Sequence, residues 1–250
     1  MQAILSDIHA NLEALEAVLA DVEKHEVDEI VCLGDIIGYG PNPLECIDLA
    51  MDFDVVLQGN HEQALMVQME GATFNMKARG SIDWTREQLS MLSEEREDNA
   101  RRWDFLGDME EIHTTDGTMY VHGTPRDPVI EYLRPRDVYN RAKMEDLFSR
   151  IDHLCFIGHT HVSGVWSADM VFESAEEMNF KYDITEKKTF LNPGSVGQPR
   201  DGDTRACYLL VDDSSVSWRR VAYPIEKTAR KIREIPELDP FLAQRLTEGR

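Results

Sequence analysis

Five times along this chain a short apolar run stops at a residue able to bind a metal, with glycine or another small residue beside it. Ala3-Ile4-Leu5 runs into Ser6-Asp7-Ile8-His9-Ala10-Asn11, and Ile30-Val31-Cys32-Leu33 into Gly34-Asp35. Phe53 to Leu57 leads to Gly59-Asn60-His61-Glu62, Met119-Tyr120-Val121 to His122-Gly123, and Leu154 to Ile157 to Gly158-His159-Thr160-His161. Runs this short and this apolar read as strands buried on both faces, and helical patterns lie between them. After the first run, Leu12, Leu15, Val18, Leu19 and Val22 recur at helical spacing with Asn11 as the N-cap. The alternation predicts an α/β chain in which rigid strands carry functional loops at their ends.

The rest of the chain fits that frame. Pro43 opens a short helix, and residues 63–105 are polar and helical in flavour, with Ser93 to Arg102 read as a solvated helix face or a connection. Thr115-Asp116-Gly117 signals a hairpin between Ile112-His113 and Met119–Val121. A helix is expected over Asp137 to Ser149. Further strands are expected at Val162–Trp166, Thr189–Leu191, Ala206–Val211 and Val216–Val221, the last two joined by a turn at Asp212–Ser215. Helical composition over 225–247 is interrupted near Pro236 and Pro240. No repeat, linker or low-complexity tract divides the 250 residues, so a single domain is expected, with a rim segment at about 63–110 and a helical tail at about 225–250.

Composition narrows the function. The net charge of −21 argues against duplex DNA or an anionic membrane surface as a partner, and it requires local positive charge wherever a phosphate is held. The opening MQAILSD has neither a basic stretch nor an apolar core, which reads as cytoplasmic. Cys32, Cys46, Cys155 and Cys207 are widely spaced, and buried free thiols are expected. The metal-capable set is Asp7, His9, Asp35, Asn60, His61, His122, His159 and His161. Mixed oxygen and imidazole donors without cysteine suit Mn, Fe, Co, Ni or Zn.

In that order, D-x-H, G-D, G-N-H-[DE], H and G-H-x-H, these motifs resemble the signature of the calcineurin-like metallophosphoesterases. The segments SDIHAN, GDIIGYGPNP, HGTPRDP and NPGSVGQPRDGD resemble its compact bacterial phosphodiesterase and diadenosine-tetraphosphatase-like members. The resemblance covers residues 1 to about 222. It implies a four-layer α-β-β-α sandwich of two mixed sheets flanked by helices. It also implies two divalent transition metal ions, Mn first among them. Asp7, His9 and His161 would hold one, Asn60, His122 and His159 the other, with Asp35 bridging. A hydroxide between the metals would attack phosphorus, and His61 would protonate the leaving oxygen as general acid.

The implied substrate is a small phosphorylated or nucleotide compound, cleaved at a phosphodiester or nucleotide-type ester or anhydride. Arg126 and Arg200 are candidate phosphate grips, the alternative being ion pairs with Asp127 and Asp201; Tyr39 either stacks on a base or is an exposed loop residue. Glu62, where many members carry Asp, either orients His61 or caps a helix, and Ala10 stands where Gly is frequent. The protein Ser/Thr phosphatase branch has G-D-x-x-D-R-G where this chain has Gly34-Asp35-Ile36-Ile37-Gly38-Tyr39-Gly40, without the phosphate-gripping Arg. A monoester phosphatase and a non-catalytic scaffold are the competing readings. His25, His113 and His153 lack motifs and are read as surface or structural.

Overall fold

A computed structural model describes residues 1–67, 76–90 and 96–250. The chain runs β1 (Gln2–Leu5), α1 (Leu12–Val22), β2 (Glu29–Cys32), α2 (Pro43–Ala50), β3 (Val55–Val56), α3 (Asn60–Met66), α4 (Met76–Ser90) and α5 (Arg96–Gly107). Then follow β4 (Ile112–Thr115), β5 (Thr118–Val121), α6 (Arg141–Ser149), β6 (Leu154–Ile157), β7 (Gly164–Ser167) and β8 (Val171–Ser174). The last elements are β9 (Lys181–Asp183), β10 (Thr189–Asn192), β11 (Ala206–Val211), β12 (Ser215–Val221), α7 (Ile225–Glu234) and α8 (Pro240–Glu248).

The strands form two six-stranded sheets, ordered β3-β2-β1-β11-β12-β9 and β4-β5-β6-β10-β7-β8. Both are mixed: β1 runs parallel to β2 and antiparallel to β11, and β10 parallel to β6 and antiparallel to β7. Strand alternation splits each apolar run between two cores. Ile4, Val31, Phe156, Leu191 and Leu209 pack in a cluster between the sheets. Ala3, Leu5 and Cys32 face the opposite way, joining Leu15 and Val18 of α1 and Ile47 of α2. Cys155 and Ile157 pack with Met144, Leu147 and Phe148 of α6. The result is the expected helix–sheet–sheet–helix layering, and all four cysteines are buried free thiols within it.

Several boundaries differ from expectation. The third strand shrinks to Val55–Val56, with Leu57 making only an isolated bridge to Glu110. The helix expected from Asp137 is broken: a 3-10 turn covers Pro135–Tyr139, then the Asn140 side chain accepts from Lys143 N at 3.2 Å and starts α6 afresh. Strands β8 and β9 were not anticipated; they are short edge strands, β9 polar and mostly exposed and β8 carrying only Val171 and Phe172 as an apolar signal. The hairpin is as expected, with positive φ at Asp116 and Gly117, as a two-residue type I′ turn needs. Ser93–Glu95 of the expected solvated face lie outside the described residues. Within α5, Arg102 is buried and reaches Asp48 of α2 at 2.7 Å, so that helix is pinned rather than simply solvated.

Candidate metal centre

The loops at the strand ends are sewn to one another before any side chain is considered. Asp7 N donates to Gly34 O (3.0 Å), His9 N to Asp35 O (2.9 Å) and Ala10 N to Ile36 O (2.7 Å). Glu62 settles its two readings: its carboxylate accepts from Gly59 N (2.9 Å), Asp35 N (2.8 Å) and Ile37 N (3.1 Å). It caps α3 and ties that helix to the Asp35 loop. The segment after β10 closes the other side, with Ser195 Oγ on Asp7 O (2.8 Å) and Asn192 Nδ2 on Gly158 O (2.7 Å).

Each key carboxylate spends one oxygen on this scaffold and leaves the other facing inward. Asp7 Oδ2 accepts from Ser6 Oγ (2.7 Å) and His159 N (3.1 Å), while Asp7 Oδ1 is buried without a hydrogen bond. Asp35 Oδ1 accepts from His61 N (2.9 Å), so Oδ2 is the atom at the centre, 3.4 Å from His122 Nε2, 3.7 Å from His9 Nε2 and 3.9 Å from His61 Nε2. An orphaned buried oxygen costs on the order of 1–3 kcal/mol unless a cation offsets it.

Four imidazoles repeat one device. His9 Nδ1 donates to Ile37 O (3.1 Å), His122 Nδ1 to Leu33 O (3.0 Å), His161 Nδ1 to Gln198 O (2.6 Å) and His159 Nε2 to Ile130 O (3.0 Å). A carbonyl only accepts, so each of those nitrogens carries the proton and the other presents a lone pair inward. His9 Nε2 then faces His161 Nε2 at 3.1 Å, and His122 Nε2 faces His159 Nδ1 and Asn60 Oδ1, each at 3.1 Å. Lone pairs aimed at each other repel, and a cation between them removes the repulsion. The convergent atoms fall into the trios Asp7–His9–His161, Asp35–His122–His159 and His9–Asp35–His61. The donor set fits divalent first-row metals.

The electrostatics agree with the geometry. Burial works against the charged carboxylates, but the imidazoles outweigh it, His161 foremost for Asp7 and His122 foremost for Asp35, and hold both below the usual carboxylate range. Burial lowers His9 and His161, His61 to about 4 and His159 to about 3, so these rings are neutral at physiological pH, as ligation requires. Burial also acts against charged His122, yet Asp35 outweighs it and raises the pKa to about 9, so with no metal ion this ring keeps a second proton on Nε2, and a metal ion would displace that proton to take up the lone pair.

The backbone is strained at the same residues. Asp7, His9, Ala10, Asp35, Tyr39, His159 and His161 all have φ between 49° and 66°. Each such residue costs of order 1–3 kcal/mol and persists only where its surroundings over-determine it. Ala10, where glycine would be relaxed, is therefore more than a neutral replacement. Gly158 is obligatory for another reason: a Cβ there would strike Ser6 Oγ and stand 3.2 Å from Asp7 Oδ2.

Residues 1–215 match the calcineurin-like phosphoesterase superfamily domain. An uncharacterised protein of Methanocaldococcus jannaschii is 36% identical over 263 residues, spanning 100% of this chain and 98% of its own. A metallophosphoesterase from Sphaerobacter thermophilus is 35% identical, with a TM-score of 0.81 over 100% of this chain and 98% of that one. The chain belongs to the calcineurin-like phosphoesterase superfamily. A hypothetical protein of Pyrococcus horikoshii OT3, 21% identical with a TM-score of 0.76 over 100% and 99% of the two chains, shares the fold.

Members of this phosphoesterase superfamily are generally hydrolases that use divalent metal ions, and the cluster lies where the five motifs converge. The substrate candidates separate. Tyr39 is not an exposed loop residue: its ring lies 4.6 Å from the rings of both His9 and His61 and packs toward Ile232 and Leu242. The Arg200 guanidinium stands 5.9 Å above the Tyr39 ring and contacts Gln198 Oε1 at 3.0 Å. Arg126 is held by Glu131 and Asp146, not the expected Asp127, and its fork is committed to those carboxylates. Asp201 pairs with Arg220 rather than with Arg200. His25 lies 3.9 Å from Asp21, the His113 ring packs by Tyr120, and His153 bonds Thr185 O at 2.6 Å, all structural as expected.

Sequence reasoning missed Tyr132, whose ring stacks on His159 at 3.6 Å, and Gln198, whose carbonyl fixes the His161 tautomer. A lone tyrosine in a loop and a backbone carbonyl leave no motif. It also undervalued the C-terminal helices. Thr228 of α7 bonds Asn11 (3.0 Å) and Glu13 (2.8 Å), and Leu242 and Leu246 of α8 close the space behind His9 and Tyr39. Among the described residues no helix is long and apolar enough to cross a membrane.

Proposed function

We propose that the chain is a cytoplasmic phosphoesterase that holds two divalent ions, Mn first among the candidates, and hydrolyses a phosphodiester or a nucleotide-type phosphate ester or anhydride in a small substrate. The observation that carries this reading is the pair of opposed lone-pair sets, His9 with His161 beside the orphaned Asp7 Oδ1, and His122 with His159 and Asn60, joined through Asp35 Oδ2. Divalent ions bound there supply Lewis acidity toward the phosphoryl group and lower the pKa of the attacking water.

The protein's own residues do the remaining work. The four carbonyl-anchored imidazoles and Asp35 fix the ligand atoms before substrate arrives, so little reorganisation accompanies the reaction. His61 aims Nε2 at the same centre, 3.9 Å from Asp35 Oδ2; burial foremost holds it neutral, and an anionic phosphoryl group beside it would favour the protonated form that gives its proton to the leaving oxygen. Arg200 steadies the phosphoryl charge from above Tyr39. The Gly38-Tyr39-Gly40 turn supplies no arginine, which supports a diester or anhydride over a phosphoprotein substrate.

Hydrolysis of bis-p-nitrophenyl phosphate and p-nitrophenyl phosphate, with Mn²⁺ and with EDTA, tests the reading in wild type and in Asp35→Asn. Metal-dependent turnover that falls about 10³-fold in the variant, roughly 4 kcal/mol of transition-state stabilisation, is the expected result. A faster monoester than diester reaction would shift the assignment to a phosphomonoesterase. Absence of bound metal by elemental analysis would overturn the enzyme reading in favour of a scaffold.

A further inference from the structure

Acidic residues outnumber basic ones 47 to 26 in this chain, yet the groove opening beside the cluster is basic. Of about 570 Å³, it is lined by Arg134, Arg136, Arg200, Tyr132, Thr160 and Val162, with Pro135 between the first two and no carboxylate. That volume suits a small-molecule site. Arg126, Arg141, Arg150, Arg205, Arg219 and Arg220 each pair with an Asp or Glu. Among the described residues Arg134, Arg136 and Arg200 pair with no carboxylate, as is also true of Arg230 and Arg245, but only these three line one groove.

The groove is continuous with the metal centre. Thr160 separates His159 from His161, and Arg200 N lies 3.4 Å from His161 O. Tyr132 stacks on His159 with rings 3.6 Å apart and 22° from parallel, and the Arg134 guanidinium lies over the Tyr132 ring at 4.6 Å. Both partners cannot share one face, so the tyrosine is sandwiched and leaves no face for a nucleobase. What the groove offers is cationic forks, which match phosphate oxygens. Arg134 and Arg136 are exposed, so water and salt screen their repulsion, and an anion reaching them together with Arg200 would gain from all three forks.

We propose that this groove is a polyphosphate subsite: it takes the non-scissile phosphates of a substrate whose scissile phosphorus sits at the metal cluster. The proposal rests on the phosphoesterase reading for the scissile step and narrows its substrate class to compounds with a second phosphate near the cleaved bond. A diester with neutral substituents gains nothing from Arg134 and Arg136; a phosphoanhydride chain engages both.

Binding separates the two claims, because it needs no turnover. Titration calorimetry with inorganic tripolyphosphate, on metal-loaded and on EDTA-treated protein, is to be run on wild type, on Arg134→Gln/Arg136→Gln, and on the equally charged control Arg141→Gln/Arg150→Gln. The expected result is an affinity at least tenfold weaker in the groove variant and within twofold of wild type in the control, with unchanged thermal melting in both. That outcome supports the subsite even if no model ester is hydrolysed, when only the catalytic reading fails. Equal losses in both double variants, no loss in the groove variant, or no tripolyphosphate binding by wild type would each overturn the subsite while leaving the catalytic reading intact. Diadenosine tetraphosphate bound more tightly than tripolyphosphate would assign the chain of phosphates to a nucleotide, and equal affinity to a bare polyphosphate; both support the subsite.

Discussion

The strand-end loops and the α7–α8 helix pair meet against Tyr39, and they are built on opposite terms. The loops hold Asp7, His9, Asp35, His159 and His161 in left-handed backbone, bury their charges and leave Asp7 Oδ1 unbonded. The helix pair is regular, and α8 is conventionally capped, with Asp239 accepting from Phe241 N at 2.8 Å and Gly249 ending it in the left-handed region. Its Ala229, Ile232, Leu242, Ala243 and Leu246 pack into one apolar cluster with Trp84. It contributes no member of the metal trios. Strain of this kind is tolerated because ordinary burial elsewhere stabilises the fold. Damage to the loops should therefore register in chemistry, and damage to the helix pair in stability.

The largest test of that division is His61→Ala. Removing a proton donor should lower kcat by about 10²–10⁴-fold, roughly 2.7–5.5 kcal/mol, with metal content by elemental analysis unchanged. Loss of bound metal would instead make His61 a ligand in the His9–Asp35–His61 trio. On the other side, Leu246→Ala removes a side chain 5% exposed and should cost about 2–5 kcal/mol in denaturant unfolding. The kcat of the folded fraction should stay within about threefold. A collapse of kcat in still-folded protein would show that the helices position Tyr39 and the ligand loops, and the division would be gone.

The smallest effect concerns the joint between the regions. Glu13 of α1 is buried, bonds Thr228 Oγ1 at 2.8 Å and pairs with Lys231 and Lys227 of α7. Burial would raise its pKa, but those partners outweigh it and the folded value is lowered. A lowered carboxylate contributes stability above the unfolded value near 4.3, and that contribution is lost as pH falls through the folded value. Glu13→Gln should thus cost about 1–2 kcal/mol at pH 7, and the gap to wild type should begin to narrow as pH falls past about 4.3. Urea unfolding at pH 7, 5 and 3.5 measures it; a gap no smaller at pH 3.5 than at pH 7 would mean the contact acts by shape rather than charge.

The sequence was most informative where local chemistry and periodicity coincide. Asp7, His9, Asp35, Asn60, His122, His159 and His161 were legible because each follows a short apolar run that reads as a strand, even where the strand shrinks to the half-buried Val55–Val56. The grouping of ligands came from the family resemblance, and the structure brings the same residues together. Legibility failed at Asn140, whose capping side chain splits a helix that the apolar pattern alone would run through, and at the short edge strands β8 and β9, of four and three residues with at most two apolar positions.

By itself, then, the sequence determined which donors this protein owns, their order and their placement at strand ends, since residue type and spacing are local properties. Only the tertiary structure decided which atom of each donor faces the centre. The protons on His9, His122, His159 and His161 are fixed by the carbonyls of Ile37, Leu33, Ile130 and Gln198. Every residue carries a carbonyl, so no sequence pattern marks those four. Likewise Arg126 is bound up with Glu131 and Asp146, while Arg134, Arg136 and Arg200 come together without a carboxylate. Which arginine is neutralised depends on partners distant in the chain, and only folding sets those distances.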